Sequence, residues 1–122
     1  MTMENATPAN VARAAVEGII CGLADALDAL TAQGARIGTV RLVGGAAASP
    51  AVRVVAASVL GMPVLLPAPG EYVADGAARQ AAWVLRGSMP QWPVTAPAAH
   101  GTAPAPHVRE RYAEARSHWL AR

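Results

Sequence analysis

The run from Ile37 to Val43 is rich in β-branched and aliphatic residues and ends directly on Gly44-Gly45, after which Ser49-Pro50 opens a helical pattern. This succession limits the possible folds more than any other part of the chain. Aliphatic and β-branched residues over this length read as a strand. Two glycines at its end let the backbone turn sharply. Serine suits the cap of a helix and proline its first turn. Val52, Val55, Ala56, Val59 and Leu60 then fall on one helical face, and Gly61 stops the helix. Pro63 prevents continuation, and Val64-Leu65-Leu66, closed by Pro67, is the short apolar run of a strand buried in a parallel sheet. Strand, helix and strand compose a βαβ unit, so the expected fold class is α/β.

Helices flank this unit. From Thr7 to about Ala32, residues Val16, Ile19, Ile20, Leu23, Leu27 and Leu30 recur at three- and four-residue spacings that place them on one face. Thr7 is the expected cap, Pro8 the first helical residue, Arg13 and Glu17 a surface pair, and Gly34 the stop. A further helix runs from about Val73 to Arg86, ending on Gly87, with Gly76-Ala77-Ala78 in its first turns permitting close approach of a neighbouring backbone or ligand. Residues 88–106, including Trp92-Pro93, are dominated by Pro, Ala and Gly and are expected to be irregular. His107 to Leu120 recovers a helical stripe of Val108, Tyr112, Ala115 and Trp119, with Arg109, Glu110, Glu114 and Arg116 facing water. The expected division is residues 1–87, the irregular segment 88–106, and a terminal helix over 107–122.

Composition removes several functions. A chain of 122 residues is one domain at most, and 53% hydrophobic against 15% charged residues supports a packed core. Its positive charge comes from ten Arg and no Lys. Without lysine there is no Walker-type phosphate loop and no Schiff-base chemistry by the chain's own residues. The arginines are dispersed and aromatics are 4%, so no basic, stacking face for nucleic acid is expected. Cys21 stands alone in an apolar helical stretch and reads as core filler. His100, His107 and His118 lack a cysteine partner or the three- or four-residue spacing of a helical zinc site, so no metal site of their own is expected. Met1 to Asn10 shows no basic start followed by an apolar run, and no stretch gives eighteen uninterrupted apolar residues. A soluble, cytoplasmic protein without a membrane partner is expected.

The chemistry-bearing constellation is the strand, then Gly44-Gly45-Ala46-Ala47-Ala48-Ser49, then a helix. Glycines at a strand end let the backbone approach a ligand, and the free amides of the following helix favour negative charge. A Rossmann dinucleotide site fits poorly, because the spaced third glycine is missing and no acidic residue ends the strand at Leu66. A strand-to-helix turn also favours small residues for steric reasons, so the glycines alone leave nucleotide contact and simple packing both open.

A longer pattern adds to this. The run Leu42-Val43-Gly44-Gly45-Ala46-Ala47-Ala48-Ser49-Pro50-Ala51-Val52-Arg53 is followed by Val59-Leu60-Gly61-Met62-Pro63-Val64 and then by Glu71-Tyr72-Val73-Ala74-Asp75-Gly76-Ala77-Ala78. Upstream stands Arg13-Ala14-Ala15-Val16-Glu17-Gly18 on its helix. In order and spacing, from about Thr7 to Gly87, this resembles the C-terminal nucleotide-binding domain of the FGGY carbohydrate kinases, in particular those of xylulokinase type. The resemblance implies part of an actin-like, ribonuclease-H-like ATPase fold, with ATP and Mg2+ as cofactors and a ketopentose hydroxyl as phosphoryl acceptor. It places Gly44, Gly45 and Ala46 against adenosine and phosphates, and Ser49 at the adjoining helix start is expected to bind the nucleotide with them. Ala46 stands where many relatives have a third glycine, and Ala74 to Ala78 is expected to serve packing before nucleotide contact.

Phosphoryl transfer also needs a carboxylate at the acceptor hydroxyl, a metal site and groups on the terminal phosphates. In the family these come from earlier sequence, so no catalytic residue is assigned and sugar is expected to bind only when an N-terminal portion is supplied. Asp25 and Asp28 are expected on a solvated helix face, and Asp75 to complement a helix dipole. The alternative expectation is a non-catalytic remnant or assembly module, without nucleotide turnover, that self-associates through exposed apolar faces.

Overall fold

The computed structural model describes residues 4–92 and 97–121. In chain order it contains α1 (Pro8–Ala32), β1 (Val40–Arg41), a 3-10 turn (Gly45–Ala48), α2 (Pro50–Leu60), β2 (Val64–Leu66), α3 (Tyr72–Arg86), β3 (Ala98–His100) and α4 (Pro106–Leu120). Local chemistry sets most of these limits. The Thr7 hydroxyl accepts from the Asn10 amide at 3.3 Å, and Pro8 opens α1. Pro50 opens α2, while Gly61 and Gly87 end α2 and α3 in the left-handed conformation that β-carbons disfavour. The expected residues 1–3, 93–96 and 122, with Pro93 of the Trp92-Pro93 pair, lie outside the described residues.

The α/β expectation is met. β1 and β2 pair in parallel, Val40 opposite Val64, across the helical connection α2, which forms the βαβ unit. The β1 strand is shorter than Ile37 to Val43, because β2 offers only three residues as a ladder partner. β3 is a finding within the segment expected to be irregular. Ala98–His100 pairs antiparallel with β2, Val64 opposite His100, giving the order β1-β2-β3. Alanine has little strand preference, so the pairing comes from the second open edge of β2 rather than from local sequence. A backbone bond from the Ala105 amide to the Ser58 carbonyl at 3.0 Å ties the same segment to α2.

The core is small and centred where α1 and α2 meet β2: Ile20, Cys21, Ala24, Val55, Ala56, Ala57, Val59 and Val64. Ala56 and Val64 are fully enclosed. The face of α1 that enters this core differs from the expected stripe. Ile20 is buried together with Cys21 and Ala24, whereas Ile19, Leu23 and Leu30 are exposed. A stripe chosen by spacing alone does not say which edge of it meets the neighbouring helix.

α4 contributes Val108 and Tyr112 to the edge of the core, while Trp119 is largely exposed. Arg109 and Arg116 do not simply face water. They pair with Asp28 and Asp25 of α1, so the expected solvated faces of the two helices meet through surface ion pairs. The reversed order of the two pairs shows that α1 and α4 run antiparallel. α3 buries none of its residues and is tethered by a bond from Arg79 Nε to the Pro90 carbonyl at 3.2 Å.

Candidate nucleotide cleft

Because β1 and β2 are parallel, their carboxyl ends release the chain on the same edge of the sheet, at Leu42-Val43-Gly44 and at Pro67. Open α/β sheets take their ligands at this edge. Between the two departing loops lies a cleft of about 370 Å³. That volume lies within the range of small-molecule sites, roughly 300 to 1,000 Å³.

One wall is the glycine bend. Gly44 has φ 92° and ψ 176°, a backbone region that is essentially reserved for glycine. From there the chain closes a 3-10 turn, with the Ala47 amide donating to the Gly44 carbonyl at 3.0 Å and the Ser49 amide to Ala46 at 3.1 Å. No heavy atom lies within 4 Å of where a β-carbon on Gly44 or Gly45 would sit. The bend is therefore open, not plugged by neighbouring side chains.

Arg53, from the start of α2, reaches back to this wall. Its Nε donates to the Ala47 carbonyl at 2.6 Å and its Nη2 to the Ala48 carbonyl at 3.1 Å. A planar guanidinium makes both bonds from one rigid fork, a geometry that a compact ammonium does not have. The opposite wall is the loop Pro67-Ala68-Pro69-Gly70-Glu71, braced where the Tyr72 hydroxyl donates to the Ala68 carbonyl. Leu42, Val43 and Leu66 add apolar surface, and Glu71 is the carboxylate that lines the cleft.

Of the residues picked from sequence, Gly44 and Gly45 line the cleft. Ala46 is exposed on the 3-10 turn and Ser49 is the half-buried cap residue of α2 without a side-chain capping bond; neither lines the cleft. Asp25 and Asp28 are engaged with α4, and Asp75 sits in the first turn of α3 outside the lining. Sequence reasoning gave Arg53 and the 67–72 loop no role in the site. A signal existed for the loop: the Pro-rich exit from the second parallel strand must lie beside the exit from the first. For Arg53 the signal was its place at the end of the run that carries the resemblance, although its partners, backbone carbonyls, leave no mark in the sequence.

Among the described residues no group of three or more His, Cys, Asp or Glu is placed to hold a metal. Magnesium is commonly held by one or two carboxylates together with substrate phosphates. Glu71 alone does not make such a site. The arrangement offers apolar surface and unobstructed backbone at the bend. Nor does any described helix have the length and apolarity to cross a membrane.

A βαβ-based sheet with a glycine-lined crevice at the carboxyl ends of its parallel strands defines an α/β domain with a candidate ligand cleft. Comparison with known proteins gives the family. The model of the FGGY family of carbohydrate kinases, C-terminal domain, matches residues 1–85, and the chain belongs to that family. The crystal structure of xylulose kinase from Bifidobacterium adolescentis is similar, with a TM-score of 0.75 and 48% identity, over 95% of this chain and 23% of that one. The chain thus spans under a quarter of the length of that enzyme. Among curated proteins none matches.

Proposed function

We propose that this chain forms the nucleotide-facing part of a sugar kinase of xylulokinase type, holding ATP for transfer of its terminal phosphate to a ketopentose hydroxyl in the cytoplasm. The observation that carries the reading is the open glycine bend beside a cleft at the carboxyl ends of two parallel strands. The similarity to a xylulose kinase supports the acceptor class. In this reading the apolar wall takes the adenosine and the backbone at Gly44 and Gly45 lies along the phosphates. Ala46 and Ser49 sit just behind that contact. Magnesium arrives with the nucleotide, and the sugar and the base that orients its hydroxyl come from polypeptide beyond this chain.

Calorimetric titration of ATP against the chain, with Gly45→Asp beside it, tests the proposal. A β-carbon at Gly45 meets open space, so the substitution leaves the fold intact while placing a carboxylate on the cleft wall. Repulsion between the carboxylate and the phosphates is expected to weaken binding by a factor of about ten or more, corresponding to at least about 1.4 kcal/mol. Absence of ATP binding by the unsubstituted chain, or equal binding by both proteins, refutes the reading.

A further inference from the structure

A second cavity, larger than the glycine-lined cleft, lies toward the amino end of β1, on the opposite edge of the sheet. It holds about 450 Å³ between the last turns of α1, residues 35–38 leading into β1, the end of α2 and Arg109 of α4. Leu27, Ile37, Leu60 and Met62 are half-buried around it and give it apolar walls. Small-molecule sites pair such walls with a few polar groups, in volumes of roughly 300 to 1,000 Å³. The charges at the rim do not balance. Arg36 and Arg109 bring two guanidiniums, and Asp28 is the carboxylate of the lining. That carboxylate is engaged with Arg109. The Arg36 guanidinium has no hydrogen bond or ion pair with any described residue. An exposed arginine by itself is ordinary surface, but here the unanswered positive charge stands beside an apolar hollow.

We propose that this cavity binds a small organic monocarboxylate with an apolar tail, its carboxylate on Arg36 and its tail along Leu27, Leu60 and Met62. A guanidinium presents paired N–H donors that meet a carboxylate in two parallel bonds. One negative charge answers the one positive charge left over at the rim. A phosphate dianion exceeds that charge and leaves the apolar walls uncovered. A free sugar offers Arg36 no charge and the walls little apolar surface. The site stands apart from the nucleotide reading, because the cavity and the glycine-lined cleft share no lining residue.

The test titrates the full chain with octanoate and follows backbone amide chemical shifts. Saturable shifts centred on residues 31–38 and 60–62 are expected. Octanamide has the same shape without the charge and should bind about fivefold more weakly, the upper end of what an exposed ion pair contributes. Arg36→Gln should weaken octanoate by about the same factor and leave octanamide unchanged. Because Arg36 is exposed and holds no partner among the described residues, that variant should melt within about 2 °C of the parent; a larger fall would make Arg36 a structural residue and overturn the assignment. Equal affinity for octanoate and octanamide also overturns it, as does tighter binding of inorganic phosphate. Shifts centred on Gly44 and Gly45, shifts scattered over the exposed apolar residues of α1 and α3, or no saturable shift at all have the same consequence.

Discussion

Replacing Gly44 by alanine isolates the conformational requirement of the bend. A β-carbon there meets nothing within 4 Å, so no clash contributes and the cost is that of the backbone alone. At φ 92° and ψ 176° a residue other than glycine pays about 1 to 3 kcal/mol. With an unfolding slope in urea of about 2 kcal/mol per molar, a loss of about 2 kcal/mol lowers the midpoint by about 1 M and leaves the slope unchanged. The melting temperature should fall by about 4 °C for each kcal/mol in a domain of this size. Gly45→Ala is the control. Gly45 has no positive φ and equally open surroundings, so its stability should stay within about 0.5 kcal/mol of the parent. Urea unfolding followed by far-ultraviolet circular dichroism measures both. Equal loss at the two positions, or none at Gly44, would show that the bend does not depend on glycine at residue 44.

Removing the Arg53 guanidinium by Arg53→Met leaves the Ala47 and Ala48 carbonyls without it, and about 1.5 to 3 kcal/mol of stability should go by urea unfolding. Arg53→Lys should recover little, because an ammonium cannot reproduce the fork. Val64→Ala empties a fully enclosed site in the central strand and should cost about 2 to 3 kcal/mol by the same measurement. Burial pushes the Cys21 thiol above its ordinary value of 9.0, with Asp25 and Glu17 adding to the rise and Arg109 opposing it. The native state then holds its proton more firmly than the unfolded chain. That contribution is complete below about pH 9 and is lost as pH rises through the folded value, so stability should decline above pH 9 and Cys21→Ala should flatten the decline. Surface ion pairs contribute less. Charge removal by Arg109→Ala should cost no more than about 1 kcal/mol in low salt and less in 1 M salt, since Asp28 is well exposed.

The placement of the cleft follows from two loops that are far apart in the chain and adjacent in space. Gly44 and Pro67 leave neighbouring parallel strands on one edge, so a bend with little side-chain bulk faces a proline-braced wall. Arg53 links the bend to α2, and any movement of that helix relative to β1 reaches the glycine wall through two hydrogen bonds. The apolar outward side of α1 belongs to a different part of the molecule, away from the cleft lining.

Element limits and the ligand-side bend were legible from the amino-acid order, because caps and stops act within a few residues: Thr7 on Asn10, Pro50 at the start of α2, Gly61 and Gly87 at helix ends. The βαβ unit followed from these, and with it the edge on which Gly44 and Gly45 lie. Tertiary structure alone decided which side of α1 is buried, that Ala98–His100 joins the sheet, and that Ala46 and Ser49 stand off the cleft that Arg53 lines. It also decided that Asp28 meets Arg109 across 81 residues of sequence. The physical reason is the range of the forces. A cap or a glycine stop is satisfied by its own neighbours, whereas burial, strand pairing and ion pairing need a partner whose position exists only once the chain has packed.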